Sequence, residues 1–226
     1  EKFRNKLEKL SYKMVDKIVC QSHDMAIDFI NVFKVDKSRV WVINNPITHD
    51  FPIKSPKDKK DRVIKLITVG RLSIEKGHLR ILNVLAKLKY DFQYTIIGKG
   101  PFKQEIFNEI NKLNLKDKVN YIPFTKEVGK YISKNDLFLQ GSYVEGFPNT
   151  VLESCLVGTP VLAFDVPGGT KEIISHGLNG YLAHSNEEYL ALLNEPFKWD
   201  AVKIRESVLK KFDQKKIIAE YEELIN

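Results

Sequence analysis

Apolar residues along this chain gather in short runs, and polar or amphipathic stretches separate them. Eight runs read as strands: KIVCQ (17–21), RVWVIN (39–44), VIKLITVG (63–70), FQYTIIG (92–98), VNYIPF (119–124), DLFLQG (136–141), PVLAFD (160–165) and NGYLA (179–183). Several are almost continuously apolar, as strands covered on both faces are. Helical spacing lies between most of them. In 78–89, Ile81, Leu82, Leu85 and Leu88 share one face, and in 101–113 Phe102, Ile106, Ile110 and Leu113 do the same. Strand alternating with helix predicts an α/β fold: a doubly wound, Rossmann-like parallel sheet with right-handed crossovers.

The pattern fails at NNPITHDFPIKSPKDKKD (44–61), where three prolines and many charges leave no clean period. This stretch reads as a linker between two units. Only two strands precede it, so residues 1–45 read as the tail end of a unit whose beginning lies outside the chain. The linker is taken as 46–61 and the main unit as 62–200. After residue 200 two terminal helices are predicted (201–226), with Asp213 capping the second. At the other end, Lys2 to Met14 carries Phe3, Leu7, Leu10 and Met14 on one helical face. Such a stripe packs on a sheet or lies on a membrane surface.

Composition narrows the classes. The chain has 226 residues, 43% hydrophobic and 29% charged, as in a globular protein. No apolar run approaches the ~18 residues that span a bilayer. The net charge of +7 favours anionic partners such as phosphorylated small molecules or lipid headgroups. The basic residues are not interleaved with aromatics, and no zinc-finger or RNA-binding signature is present, which argues against nucleic acid. Cys20 and Cys155 sit in apolar sequence and read as buried free thiols, so a reducing cytoplasm is expected.

Candidate chemistry lies at strand ends, where open α/β sheets bind ligands. GRLSIEKG (70–77) puts Arg71 and Lys76 on one loop after a strand. Two such cations suit a diphosphate, although solvated surface charges look the same. GKGP (98–101) is a tight turn after another strand. EGFPNTVLE (145–153) holds two carboxylates, Glu145 in a loop and Glu153 one turn into a helix that Asn149 is expected to cap and Gly158 to end. Val151, Leu152, Cys155 and Leu156 form that helix's apolar face. Its N-terminus is a ready anion site, and the carboxylates then suit hydroxyl groups on either side. Plain helix-dipole charges are the simpler account. In DVPGGTKEII (165–174), Gly168 and Gly169 form a turn and Thr170 is expected to cap a short helix.

Together GRLSIEKG, IIGKGP, EGFPNTVLESCLVGTPVLAFDVPGGTKEII and HGLNGYL resemble the retaining glycosyltransferases of family 4, which have the GT-B fold. The resemblance covers most of residues 15–226. It implies that Arg71 and Lys76 hold the donor diphosphate, that Glu153 accepts hydrogen bonds from the ribose, and that Glu145 lies near the donor sugar. It further implies that Gly146, Phe147, Asn149, Thr150 and Val151 face sugar and phosphates, that the base lies near Ile122 and Phe124, and that Gly70, Gly98 and Gly100 belong to the donor loops. The implied donor is a nucleotide sugar, most simply a UDP-sugar, with no other cofactor. No metal-ligand cluster is visible, so the two cations are expected to do the work of a metal. The implied acceptor is a glycan or lipid-linked glycan, met at the inner face of a membrane. An N-terminal domain, mostly outside this chain, would bind it, and the final helices would cross back to that domain. A nucleotide-sugar-binding module, a regulatory half-subunit or a nucleotide-sugar epimerase fits the same residues.

Overall fold

The computed structural model describes residues 11, 12, 14–55, 63–195 and 198–225. Its centre is a sheet of six parallel strands: β3 (Ile64–Val69), β4 (Phe92–Ile97), β5 (Val119–Ile122), β6 (Leu137–Gln140), β7 (Val161–Phe164) and β8 (Gly180–Ala183). Their order across the sheet is β5-β4-β3-β6-β7-β8. The chain therefore winds outward one way from β3, returns to its other side, and winds the opposite way. The β3/β6 boundary, paired at Leu66↔Leu137 and Ile67↔Phe138, is the switch point where such sheets open a crevice.

Period-two alternation builds the two faces. Leu66, Ile96, Leu137, Leu139, Leu162 and Phe164 point into one core, with Ile81, Leu82, Leu85, Ile106, Ile110, Tyr189 and Leu193. These come from α2 (His78–Leu85), α3 (Lys103–Lys112) and α7 (Asn186–Asn194). Ile67, Ile97, Phe138, Val161 and Ala163 point the other way, into a core with Ile132, Val151, Leu152, Cys155, Ile173, Ile204 and Val208. There the helices are α4 (Val128–Ser133), α5 (Asn149–Leu156), α6 (Thr170–Ile173) and α8 (Ala201–Leu209). A sheet covered on both faces is what the apolar runs require.

Two further strands, β1 (Ile18–Cys20) and β2 (Val40–Val42), pair parallel around α1 (His23–Asn31). α9 (Gln214–Ile225) buries Ile217 and Leu224 against Ile43, with Val19 alongside. Asp213 accepts from Lys216 N at 3.0 Å, the expected cap. The segment after β2 is strapped to the main unit: Ile47 N donates to Phe212 O (2.9 Å) and Lys54 N to Val157 O (2.9 Å). Arg205 holds Phe51 O (2.6 Å), Leu156 O (2.9 Å) and Asp50 (3.1 Å). The predicted Lys2–Met14 helix lies mostly outside the described residues. Met14 itself is 79% exposed rather than packed. Both cysteines are free and buried. No helix among the described residues is long and apolar enough to cross a membrane.

Candidate functional site

At the switch point a cleft of about 200 Å³ opens over the carboxyl ends of β3 and β6. Gly70, Arg71, Lys76 and His78 line one side. Gln140, Ser142, Glu145, Phe147, Asn149 and Thr150 line the other. Backbone packing brings the two loops together. Gly77 has φ +61, and a Cβ there would stand 1.8 Å from Gly141 O. Only glycine permits both that conformation and that approach. Tyr143 N then donates to Glu75 O at 2.9 Å.

This contact sets Lys76 on Glu145. Its Nζ lies 2.7 Å from Oε1 and 2.8 Å from Oε2. Ser142 Oγ donates to Oε1 at 2.6 Å and Gln140 Nε2 at 3.3 Å. The Glu145 side chain is 8% exposed and that of Lys76 29%. A carboxylate this buried is stable because each donor is aimed at its charge. Gln140 is oriented in turn by Thr170, whose hydroxyl donates to Gln140 Oε1 at 3.2 Å. Thr170 is therefore not the expected cap. Gly169 occupies the cap position of α6, and the threonine side chain faces the sheet.

The start of α5 also differs from expectation. Pro148 is the N-cap residue and Asn149 the first helical residue. Proline's φ near −65° suits the entry to a helix. That shifts Asn149 one place inward, where its Oδ1 accepts from Asn45 Nδ2 at 2.9 Å. Gly158 ends the helix as expected, with φ +80. His78 is fully buried, and its Nε2 donates to Arg71 O at 3.0 Å. Burial holds its pKa below the ordinary value, and Lys76 adds to this against the pull of the Arg71 carbonyl.

Of the remaining sequence candidates, Phe147 only borders the cleft, and Val151, Gly146, Gly98, Gly100, Ile122, Phe124 and Glu153 lie outside its lining. Val151 is sealed in the core, and its N–H goes to Pro148 O at 3.0 Å. Phe147 is 7% exposed and meets Phe212 edge to face. Gly146 is exposed and accepts from Gly169 N. Gly98 and Gly100 let the β4 loop press on the β3 loop: a Cβ on either would stand 1.8 Å from Gly70 O or 2.1 Å from Leu72 O. Ile122 is half-buried and accepts from Gly98 N, while Phe124 is 64% exposed with Lys99 over its ring. Glu153 is half-buried on α5, its carboxyl pushed up by burial and partly restored by His49. Gln140, Ser142 and His78 are cleft residues that sequence reasoning missed. Ser142 stands three places before Glu145 and His78 two after Lys76, which is the only local signal they give.

The arrangement is a partly buried ion pair with one further cation, Arg71, in a cleft that the start of α5 also lines. It suits a bound anion bearing hydroxyl groups. A chain of Haemophilus influenzae called an uncharacterized glycosyltransferase is 33% identical over 124 residues, 54% of this chain and 35% of that one. The Campylobacter jejuni N-acetylgalactosamine-N,N'-diacetylbacillosaminyl-diphospho-undecaprenol 4-alpha-N-acetylgalactosaminyltransferase is 29% identical over 182 residues, 79% of this chain and 49% of that one. The chain thus spans about half or less of the length of these two relatives. The crystal structure of Anabaena HepE with UDP and glucose superposes at TM-score 0.87 with 20% identity, over 100% of this chain and 67% of that one. That likeness fixes the fold as the GT-B type. The family model described as glycosyl transferases group 1 matches residues 50–198, and on that match the chain belongs to the group 1 glycosyl transferases.

Proposed function

We propose that this chain supplies the donor-binding half of a retaining, metal-independent glycosyltransferase. It takes a sugar from a nucleotide diphosphate sugar, most simply a UDP-sugar, and passes it to a glycan or lipid-linked acceptor. The observation that carries this is the convergence of Arg71, Lys76, Glu145 and the start of α5 on one cleft. The UDP and glucose in the HepE structure and the diphospho-undecaprenol acceptor in the Campylobacter relative's name support the substrate classes.

The residues divide the work. As the bond to the anomeric carbon lengthens, negative charge grows on the diphosphate. Arg71, Lys76 and the N–H groups at the start of α5 stabilise it. Glu145 holds sugar hydroxyls and fixes the ring's orientation. Glu153 accepts from the ribose, reached from the outer side of α5. The cleft is small beside the ~300 Å³ or more of a whole-ligand pocket. It holds the diphosphate and part of the sugar, and the nucleoside runs out along the ends of β4 and β5 toward Ile122 and Phe124. Acceptor-binding groups belong to the remainder of the GT-B pair, on the far side of the cleft from residues 63–195. The working location is the cytoplasmic face of a membrane.

Calorimetric titration with UDP and a panel of UDP-sugars tests the reading. Lys76→Ala should weaken binding at least tenfold, while Lys130→Ala, on an exposed ion pair, should leave it unchanged. Equal effects from both substitutions would remove the phosphate role of Lys76.

A further inference from the structure

Away from the cleft, the starts of α1 and α6 face each other and exchange carboxylates. Asp24, in the first turn of α1, accepts from Gly168 N at 2.8 Å, and the same oxygen pairs with Lys171 Nζ at 2.8 Å. In return Glu172 of α6 accepts from His23 N, the first residue of α1, at 2.7 Å, and from Asn44 Nδ2 at 2.9 Å. Glu172 thus takes the first N–H of α1, the placement that unpaired N–H groups and the helix dipole favour, while Asp24 takes the N–H of the residue just before the α6 cap.

The turn that Asp24 holds is the one against which Glu145 rests. Glu145 N donates to Pro167 O at 3.0 Å, and Gly169 N donates to Gly146 O at 3.0 Å. Gly168 has φ +122, and a Cβ there would stand 1.6 Å from Glu145 O. The two segments, 145–146 and 167–169, are joined along their backbones with no room between them. A shift of Gly168 therefore moves Glu145, and with it the grip on Lys76. The bond from Gly168 N is charge-assisted. The Asp24–Lys171 pair, with side chains 22% and 44% exposed, is screened by solvent and holds less firmly.

We propose that Asp24 is a positioning residue: by fixing Gly168 it fixes the Glu145 carboxylate, so the cleft is set only while the β1–α1–β2 unit is seated against it. The placement of Glu145 stands on geometry alone. Its effect on turnover rests on the glycosyltransferase reading above.

The test compares Asp24→Ala with Asp24→Asn, which keeps an oxygen for Gly168 N–H, and with Lys171→Ala, which spares that bond. Amide hydrogen exchange over 143–149, without ligand, should accelerate about tenfold in D24A and stay near wild type in D24N and K171A. With a UDP-sugar that the wild type turns over, kcat/KM should fall about tenfold in D24A and less than threefold in the other two. In a Glu145→Ala background, D24A should cost nothing further. Unchanged exchange in D24A overturns the proposal whatever the substrate is. So does faster exchange in K171A, or a D24A loss that persists undiminished in the Glu145→Ala background. Should D24A not fold, Asp24→Ser, too short to reach Gly168, takes its place. A wild type that binds no nucleotide sugar, with D24A still loosening 143–149, refutes the donor reading and leaves the positioning role intact.

Discussion

Removing Glu145 should tighten the binding of UDP that carries no sugar. In the ligand-free cleft Lys76 spends its charge on Glu145, 2.7 Å away. A diphosphate entering beside Arg71 and Lys76 meets that carboxylate as a third, repelling charge. At an effective dielectric of about 20, a unit charge about 6 Å from the phosphate is worth about 3 kcal/mol. The Lys76 side chain is 29% exposed, so solvent reaches the pair, and screening reduces this to about 1 kcal/mol. Glu145→Ala should therefore lower the Kd for UDP about fivefold. Lys76→Ala should raise it ten- to hundredfold, because a hydrogen bond to a charged group contributes about 1.5–3 kcal/mol. For UDP-sugar the gain in Glu145→Ala should vanish, since the sugar loses its acceptor. Isothermal titration at low salt reads each of these values against wild type, and the fivefold gain should shrink as added salt shortens the screening length. UDP binding weakened equally by both substitutions would refute the reasoning, because Glu145 would then be supporting the phosphate site and not opposing it.

Further outcomes are expected elsewhere. Gly168→Ala should lower stability by about 2–4 kcal/mol in urea, from left-handed backbone strain and the overlap with Glu145 O. Leu139→Ala, at a fully buried position, should cost about 2–5 kcal/mol by the same assay. Because burial holds His78 below its ordinary pKa, its contribution to stability is complete above the unfolded value of about 6.5. Below that the unfolded state binds a proton that the folded state refuses, so stability falls as pH drops toward the folded value. Urea melts at pH 7.5 and 5.5 should show a smaller acid loss in His78→Gln than in wild type. Arg205→Lys should loosen the 47–54 strap, read as faster proteolysis near Phe51, because lysine cannot span the three oxygens that the guanidinium holds.

The strands were legible because their chemistry is local. Leu66 next to Ile67, or Leu137–Leu139 around Phe138, leaves no polar face, and only a sheet covered on both sides accepts that. The loop that bears Arg71 and Lys76 was legible for the same reason: it follows such a run. The pairing of Lys76 with Glu145 was not, since the two lie 69 positions apart and nothing near either predicts the other. Local preference makes Asn149 and Thr170 caps, and distant groups override both. Asn45 drew the first, 104 positions away, and Gln140 the second. GKGP reads as a tight turn, and the family resemblance alone puts Gly98 and Gly100 in the donor loops; the close approach they permit is taken up by Gly70 and Leu72. Glycine spacing alone cannot tell a substrate from a neighbouring loop.

The strand order has a consequence for the time course of folding. Leu66 meets Tyr94 across one crossover but must wait for Leu137 to complete its other side, a closure of more than twice the span. Longer closures cost more chain entropy and slow assembly. Among the strand pairs of the six-stranded sheet, the seam beneath the cleft should therefore be the last to form and the first to part. Anything lodged there touches both half-sheets at once. It should slow the escape of the whole molecule from its native state, where a molecule bound at either outer edge would steady only that edge.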